Sequence, residues 1–208
     1  MKEQTFPKAS ARSARPVSLS IPVLLGSVRR DRAGPRAARL VMRELKRRGH
    51  RPHLVDPLEL QLPLLDRMYK EYPKGEAPEP LERLASLYRR ADGFLVVSGE
   101  YNHGIPPALK NLLDHFLEEY FWRPSGIVCD SAGGFGGVRA AMQLRMTLAE
   151  LGMPSISSLL PIPRITQSID EEGVAADPIT DRSAARFLDE FTWHARALAE
   201  ARKAGTPY

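Results

Sequence analysis

Three short polar stretches carry residue types suited to gripping a flat molecule with an anionic tail. The first, GSVRRDRAG at 26–34, joins Gly26 and Gly34 to Ser27, Arg29, Arg30 and Arg32. Glycine lets the backbone turn close to an anion, serine offers a hydroxyl, and arginine offers forked donors. A helix that follows directly adds free N–H groups and a positive dipole end. The spacing is neither GxGxxG nor GxxxxGK[ST], so ordinary dinucleotide-fold and P-loop chemistry lack their signals. The second, GEYNHG at 99–104, sets Glu100, Tyr101, Asn102 and His103 between glycines, where they can face a heterocycle. Tyr101 as a packing aromatic and His103 as a surface histidine are the plainer readings. The third, SAGGFGG at 131–137, holds four glycines in seven residues. It is either a tight turn or bare backbone that approaches a planar ligand closely. No paired carboxylates, Ser-His-Asp pattern or His-rich metal motif stands out, and Glu100 is the single acid of the central loop. The chain reads as one that holds a reactive group rather than supplying its own nucleophile.

Each stretch must be positioned by the strand before it and the helix after it. Residues 17–25 (VSLSIPVLL) are rich in branched Val17, Ile21 and Val23, although Pro22 is awkward in a central strand. Ala37, Leu40, Val41 and Leu45 then recur at helical spacing as far as Gly49. RPHLV at 51–55 reads as a second strand, and the proline-rich 57–80 as a long surface loop with a task of its own. Leu81, Leu84, Leu87 and Tyr88 predict a helix over 81–90, followed by a third strand over 91–98. Pro106 and Pro107 suit a first helical turn, and Leu109, Leu112, Leu113 and Phe116 carry a helix over 106–119. A strand at 125–130, a helix at 138–151, a strand at 156–160, an irregular stretch at 161–178 and a helix at 181–203 complete the order.

Alternating strands and helices imply a parallel sheet covered on both faces. Five strands with five crossovers match an α/β, flavodoxin-like three-layer α/β/α fold, with a five-stranded parallel sheet in the order 2-1-3-4-5. In that order the loops after strands one, three and four open at one rim, where ligands of such sheets bind.

The 208 residues suit a single domain over 16–208, preceded by a flexible arm over 1–15 without an apolar signal region. Apolar residues make up 43% and charged residues 26%, ordinary values for a globular protein. The net charge of +5 reads as a solvated basic surface, or as arginines gathered where anionic ligands enter. There is no aromatic-interleaved nucleic-acid patch and no run long enough to span a membrane. The one cysteine, Cys129, falls in a predicted buried strand and reads as an inert core thiol.

The motifs GSVR at 26–29, EYNHGIPPALKN at 100–111 and SAGGFGG with the following RAAMQLR at 131–145 resemble those of the NADPH-dependent FMN reductase family. That group includes NAD(P)H:quinone and chromate reductases, and the resemblance spans about residues 17–165. It implies bound FMN and NADPH or NADH as co-substrate, with the flavin carrying the chemistry and no catalytic side chain. By the same resemblance Ser27, Arg29, Arg32 and Gly34 match the loop that cradles the FMN phosphate. Glu100, Tyr101, Asn102 and His103 match the loop along the isoalloxazine ring, and Ser131, Gly133 and Gly134 the loop at its pyrimidine side. Gly99 and Gly104 replace the family's usual proline and serine. Arg32 and Gly34 stand where many relatives carry serine and asparagine, which makes the anion site more cationic.

The implied reaction is ping-pong: NAD(P)H reduces the flavin, which then passes electrons to a quinone, flavin, azo compound or oxidised metal ion. Backbone N–H groups and the helix after strand four would favour the reduced ring. The single cysteine is consistent with a reducing, cytoplasmic location. The resemblance further implies a homodimer or homotetramer with the flavin near the interface. That would give the 57–80 loop and LEEYFW at 117–122 a use, although Phe121 and Trp122 could equally cap the core edge. A flavodoxin-like electron carrier or sensor without turnover is the alternative, disfavoured by the basic charge. A non-flavin phosphate-binding module is a third reading, disfavoured by the EYNH loop.

Overall fold

The computed structural model describes residues 18–208, so the expected arm over 1–15 lies outside the described residues. Five strands, β1 (Ser20–Leu25), β2 (Arg51–Val55), β3 (Phe94–Gly99), β4 (Ser125–Asp130) and β5 (Ser155–Ile162), form one sheet. Every pairing is parallel and the order is β2-β1-β3-β4-β5, as expected. Helices α1 (Gly34–Arg47) and α7 (Pro178–Lys203) cover one face. Helices α3 (Glu79–Arg89), α4 (Pro107–Asp114) and α5 (Val138–Glu150) cover the other.

Period-two alternation divides the buried strand residues between two cores. Val23, Leu25, Leu95 and Val97 pack toward Leu40, Leu188 and Phe191, whereas Leu24, Phe94 and Val96 pack toward Tyr88, Leu112 and Phe116. On the second face Tyr88, Phe94, Phe116 and Tyr120 form an aromatic group with ring centroids 5.0–6.3 Å apart, edge-to-face except for the tilted Tyr88–Tyr120 pair.

Pro22 does sit inside a central strand. The N–H groups of Ser20 and Gly26 both point toward the β3 side, to Asp92 Oδ2 and the Val97 carbonyl. Pro22 shares their parity, so its missing donor falls on that side. There the β1–β3 ladder starts only at Val23↔Leu95, and no ladder bond is lost.

The long loops are more ordered than their composition suggests. Within 57–80, Asp56 caps a short helix α2 (Pro57–Leu60), and a 3-10 turn occupies Tyr69–Glu71. Asn111 of α4 pins the segment by accepting from Leu65 N at 2.9 Å and donating to the Pro63 carbonyl at 2.8 Å. The irregular 161–178 stretch contains α6 (Ile165–Ser168), and β5 runs on to Ile162. The helix expected over 106–119 stops at Asp114, where the chain turns into a 3-10 segment at Glu118–Tyr120 that buries Tyr120. Phe121 and Trp122 pack on the chain's own Tyr208, with ring centroids 5.5 and 4.8 Å apart.

Candidate active site

The loops after β1, β3 and β4 meet at the carboxyl rim of the sheet around a cavity of about 320 Å³. Seven of the expected residues line it: Ser27, Arg29, Arg32, Gly34, Glu100, Tyr101 and Ser131. Asn102, His103, Gly133 and Gly134 stand outside this wall, on exposed loop tips.

The first loop has the form of an anion cradle. Its helix α1 starts with no side-chain cap and no acid in its first turn; Pro35 brings no N–H and Arg36 N already donates to the Ala33 carbonyl at 3.0 Å, so the N–H at Gly34 is what the helix start offers the cavity. Ser27 is buried and its Oγ accepts from Arg29 N at 3.3 Å. The Arg29 side chain is exposed, forms no ion pair among the described residues, and lies 6.0 Å from the Tyr101 ring centroid.

Arg32 departs from the expected role. Its Nη1 donates to Asp56 Oδ1 at 2.6 Å and to the Ser27 carbonyl at 2.7 Å, and its Nη2 donates to Asp56 Oδ2. This fork-to-fork pair neutralises its charge and ties the first loop to the end of β2. Arg36 also turns away, to the Ile169 carbonyl and Glu171. The arginine excess therefore leaves Arg29 as the uncommitted cation of the wall, and the site is less cationic than the loop's composition implies.

The central loop closes on itself. Tyr101 N donates to the Gly104 carbonyl at 3.1 Å and Gly104 N to the Tyr101 carbonyl at 2.9 Å. Asn102 and His103 between them have φ of 49° and 66°, the geometry of a tight primed turn. Tyr101 Oη meets Ser27 Oγ at 2.5 Å and so joins this loop to the first. Glu100 faces α5 instead of open cavity: its Oε2 accepts from Arg139 N at 3.0 Å and Ala140 N at 3.2 Å, and Oε1 pairs with Arg139 Nη1 at 3.4 Å. The start of the helix after strand four, expected to face the ring, is thus occupied by a carboxylate of the chain itself.

In the third loop Ser131 Oγ donates to the Gly133 carbonyl at 2.9 Å and accepts from Gly136 N at 2.9 Å. The glycines this fold demands are Gly136 and Gly137. A β-carbon at Gly137, φ 75°, would fall 2.6 Å from the Asp130 carbonyl oxygen; one at Gly136, φ 63°, would fall 3.0 Å from Pro161. At Gly133 the space is open. A glycine-rich stretch does not reveal which of its members carry the steric demand.

Sequence reasoning missed Asp130. It closes β4 opposite Gly99, lines the cavity, and is only 6% exposed. Burial pushes its carboxyl up to about 6. Its position at a strand's carboxyl end beside the glycine loop was the available signal. Cys129, one residue earlier, is fully buried, and burial with the nearby Asp130 and Glu100 pushes its thiol up to about 12, as an inert core group requires.

A hydroxyl, a free guanidinium, an uncapped helix start and the Ser131 turn around one cavity make a donor set for a phosphate-tailed planar molecule. The comparisons agree with that chemistry. The model of the family described as NADPH-dependent FMN reductase matches residues 19–167. An NAD(P)H-dependent FMN reductase of Schizosaccharomyces pombe is 34% identical over 173 residues, 76% of this chain and 82% of that one. A quinone reductase of Pseudomonas putida is 33% identical over 141 residues, 65% of this chain and 72% of that one. Among solved structures, FerB of Paracoccus denitrificans, a flavoenzyme NAD(P)H:(acceptor) oxidoreductase, superposes with a TM-score of 0.67 at 22% identity, covering 85% of this chain and 98% of its own. Sequence family, sheet order and site chemistry converge: this chain belongs to the NADPH-dependent FMN reductase family and is an enzyme of it.

Proposed function

We propose that the chain binds FMN in the cavity between the three loops and works as an NAD(P)H-dependent FMN or quinone reductase. The observation that supports this most is the convergence of Ser27, Arg29, the open start of α1 and the Ser131 loop on one cavity. Ser27 and Arg29 would hold the phosphate together with the N–H groups at Gly34. Tyr101 and the backbone of the 99–104 loop would flank the ring on one side. Ser131, Gly133 and Gly134 would lie at its edge, their open backbone giving hydrogen bonds without bulk. When bound, FMN supplies two-electron chemistry, with hydride entering from NAD(P)H and electrons leaving to a quinone, flavin, azo compound or oxidised metal ion in alternating half-reactions.

The chain's residues orient, rather than donate or remove protons in the reaction. Arg32 and Asp56 fix the backbone of Ser27, and Ser27 fixes Tyr101. Glu100 ties the 99–104 loop to the start of α5, the helix that follows the glycine loop. Asn102 and His103, on the exposed turn outside the cavity wall, would flank the ring through backbone rather than side-chain contacts.

Assembly into a homodimer or homotetramer is supported by apolar surface next to the site. Val28, Leu58 and Leu64 are exposed, Leu64 to 84%, around an apolar groove of about 380 Å³ between α2 and α4. No helix among the described residues is long and apolar enough to cross a membrane. We place the enzyme in the cytoplasm on the strength of its NAD(P)H chemistry. Equilibrium titration of the protein with FMN, followed by addition of NADPH without oxygen, tests the reading. Binding with bleaching of the flavin supports it; binding without reduction favours the electron-carrier alternative.

A further inference from the structure

Asp130 is the one buried acid in the cavity wall that the assembly described above does not use. Its Oδ2 is buried and has no hydrogen-bond partner among the described residues. A buried oxygen left in that state is costly unless a ligand, water or proton satisfies it. Glycines surround the side chain. A β-carbon on Gly34 would stand 3.6 Å from Oδ2, and one on Gly99 would stand 3.8 Å from Oδ1. The carboxyl therefore faces the start of α1, the place best suited to a phosphate, with no side chain in between.

The charges around it leave little to hold it ionised. From the first loop, Arg29 and Asp31 line the same cavity with opposite signs, and Arg32 is spent on Asp56. From β3, Glu100 is paired with Arg139 of α5. Tyr101 is bound to Ser27, and Cys129, its neighbour on β4, is a buried thiol. The nearest residues of α6, Ile165 and Thr166, carry no charge, and Arg36 of α1 is turned toward Ile169 and Glu171. An ionised Asp130 beside a phosphate would add like-charge repulsion in a half-enclosed site.

We propose that Asp130 is a ligand-binding residue of this cavity that acts in its protonated form, donating to an oxygen of the phosphate-bearing end, so that binding takes up one proton from solvent. The inference rests on the FMN reading. The burial that already lifts the carboxyl toward neutrality works in the same direction. An anionic ligand would lift it further, so affinity should fall as pH rises above about 6, by up to about ten-fold per pH unit for one linked proton. The ligand phosphate titrates near pH 6 as well, with the opposite effect on an arginine site, so comparison with a variant isolates the term due to Asp130.

The experiment is FMN titration by flavin fluorescence from pH 5.5 to 8.5, with wild type, Asp130→Asn and Asp130→Ser, and riboflavin as the ligand without phosphate. Both variants are uncharged at every pH, and thermal melting verifies that each is folded. The expected result is that wild type loses affinity relative to both variants as pH rises, with a gap of ten-fold or more by pH 8 for FMN and little gap for riboflavin. Superimposable pH profiles for wild type and variants would overturn the proposal while leaving the FMN reading intact. An equal gap for riboflavin would overturn the assignment to the phosphate end. If wild type takes up no FMN at any pH, the FMN reading fails and this inference falls with it.

Discussion

Ser27 Oγ and Tyr101 Oη stand 2.5 Å apart, so a hydroxyl on the loop after β1 is bonded to a phenol on the loop after β3. Residues separated by 74 positions are thereby locked into one wall of the cavity. Tyr101→Phe removes this bond and leaves the ring. A side-chain hydrogen bond of this kind is worth about 1 kcal/mol, so FMN should bind roughly five-fold more weakly. Fluorescence titration measures it, and unchanged affinity would show that the tether does not shape the site.

The two arginines of the first loop should part company when mutated. Arg29→Ala should weaken FMN binding by about 1–3 kcal/mol, the worth of a charge-assisted bond, and leave riboflavin binding nearly unchanged. Arg32→Ala strips Asp56, only 5% exposed, of its cation, and should cost on the order of 3 kcal/mol of stability. Thermal melting beside paired FMN and riboflavin titrations separates the outcomes. An Arg32 variant that melts normally but loses only FMN would return Arg32 to the phosphate site.

Asp130 gives a stability prediction with a defined sign. Its carboxyl is lifted by burial from 3.8 to about 6 in the folded protein. Such a group contributes stability that is fully present below pH 4 and is lost as pH rises through 6, about 3 kcal/mol in all. Ligand-free Asp130→Asn should therefore gain stability over wild type at pH 7.5 and lose that advantage near pH 4. Denaturant melts at the two pH values decide it; an equal difference at both would show that the carboxyl does not titrate on folding.

The glycine loop can be probed one position at a time. Gly137→Ala, at φ 75° with the Asp130 carbonyl in the way, should destabilise by about 2–4 kcal/mol. Gly133→Ala meets open space and should stay within about 0.5 kcal/mol. Similar melting points for the two variants would contradict the assigned backbone geometry.

Leu64→Glu places a charge on the exposed apolar surface beside α2 and should shift an oligomer toward monomer in light-scattering measurements. An unchanged mass would move the interface elsewhere.

The alternation of strands and helices was legible in the sequence because it follows from local signals; the sheet order and the meeting of the three loops were inferred from the number of elements and the rule for open parallel sheets. Continuous apolar runs such as Phe94–Val97 mark buried strands, helical spacing such as Leu109–Leu112–Leu113 marks helices, and crossover logic sets the rest. Side-chain roles were less legible, because they depend on partners distant in the chain. Nothing near Arg32 announces that Asp56 will claim it, and nothing in EYNH shows that Glu100 will cap a helix beginning at Val138. Asp130 escaped notice for the same reason: its unusual state comes from burial and from the two glycines beside its carboxyl, Gly34 and Gly99, which only the fold brings together. The short helix α2 was hidden among prolines, although the Asp-Pro pair at 56–57 that starts it is a helix-opening signal.

All of these expectations depend on the three loops holding one FMN and presenting it to NAD(P)H. The most direct test is the absorption spectrum of the FMN-titrated protein, recorded without oxygen before and after adding NADPH. Stoichiometric flavin uptake, full bleaching on NADPH addition, and return of colour when a quinone is added are the expected results. Failure to take up FMN, or bound FMN that stays oxidised in excess NADPH and NADH, would contradict them.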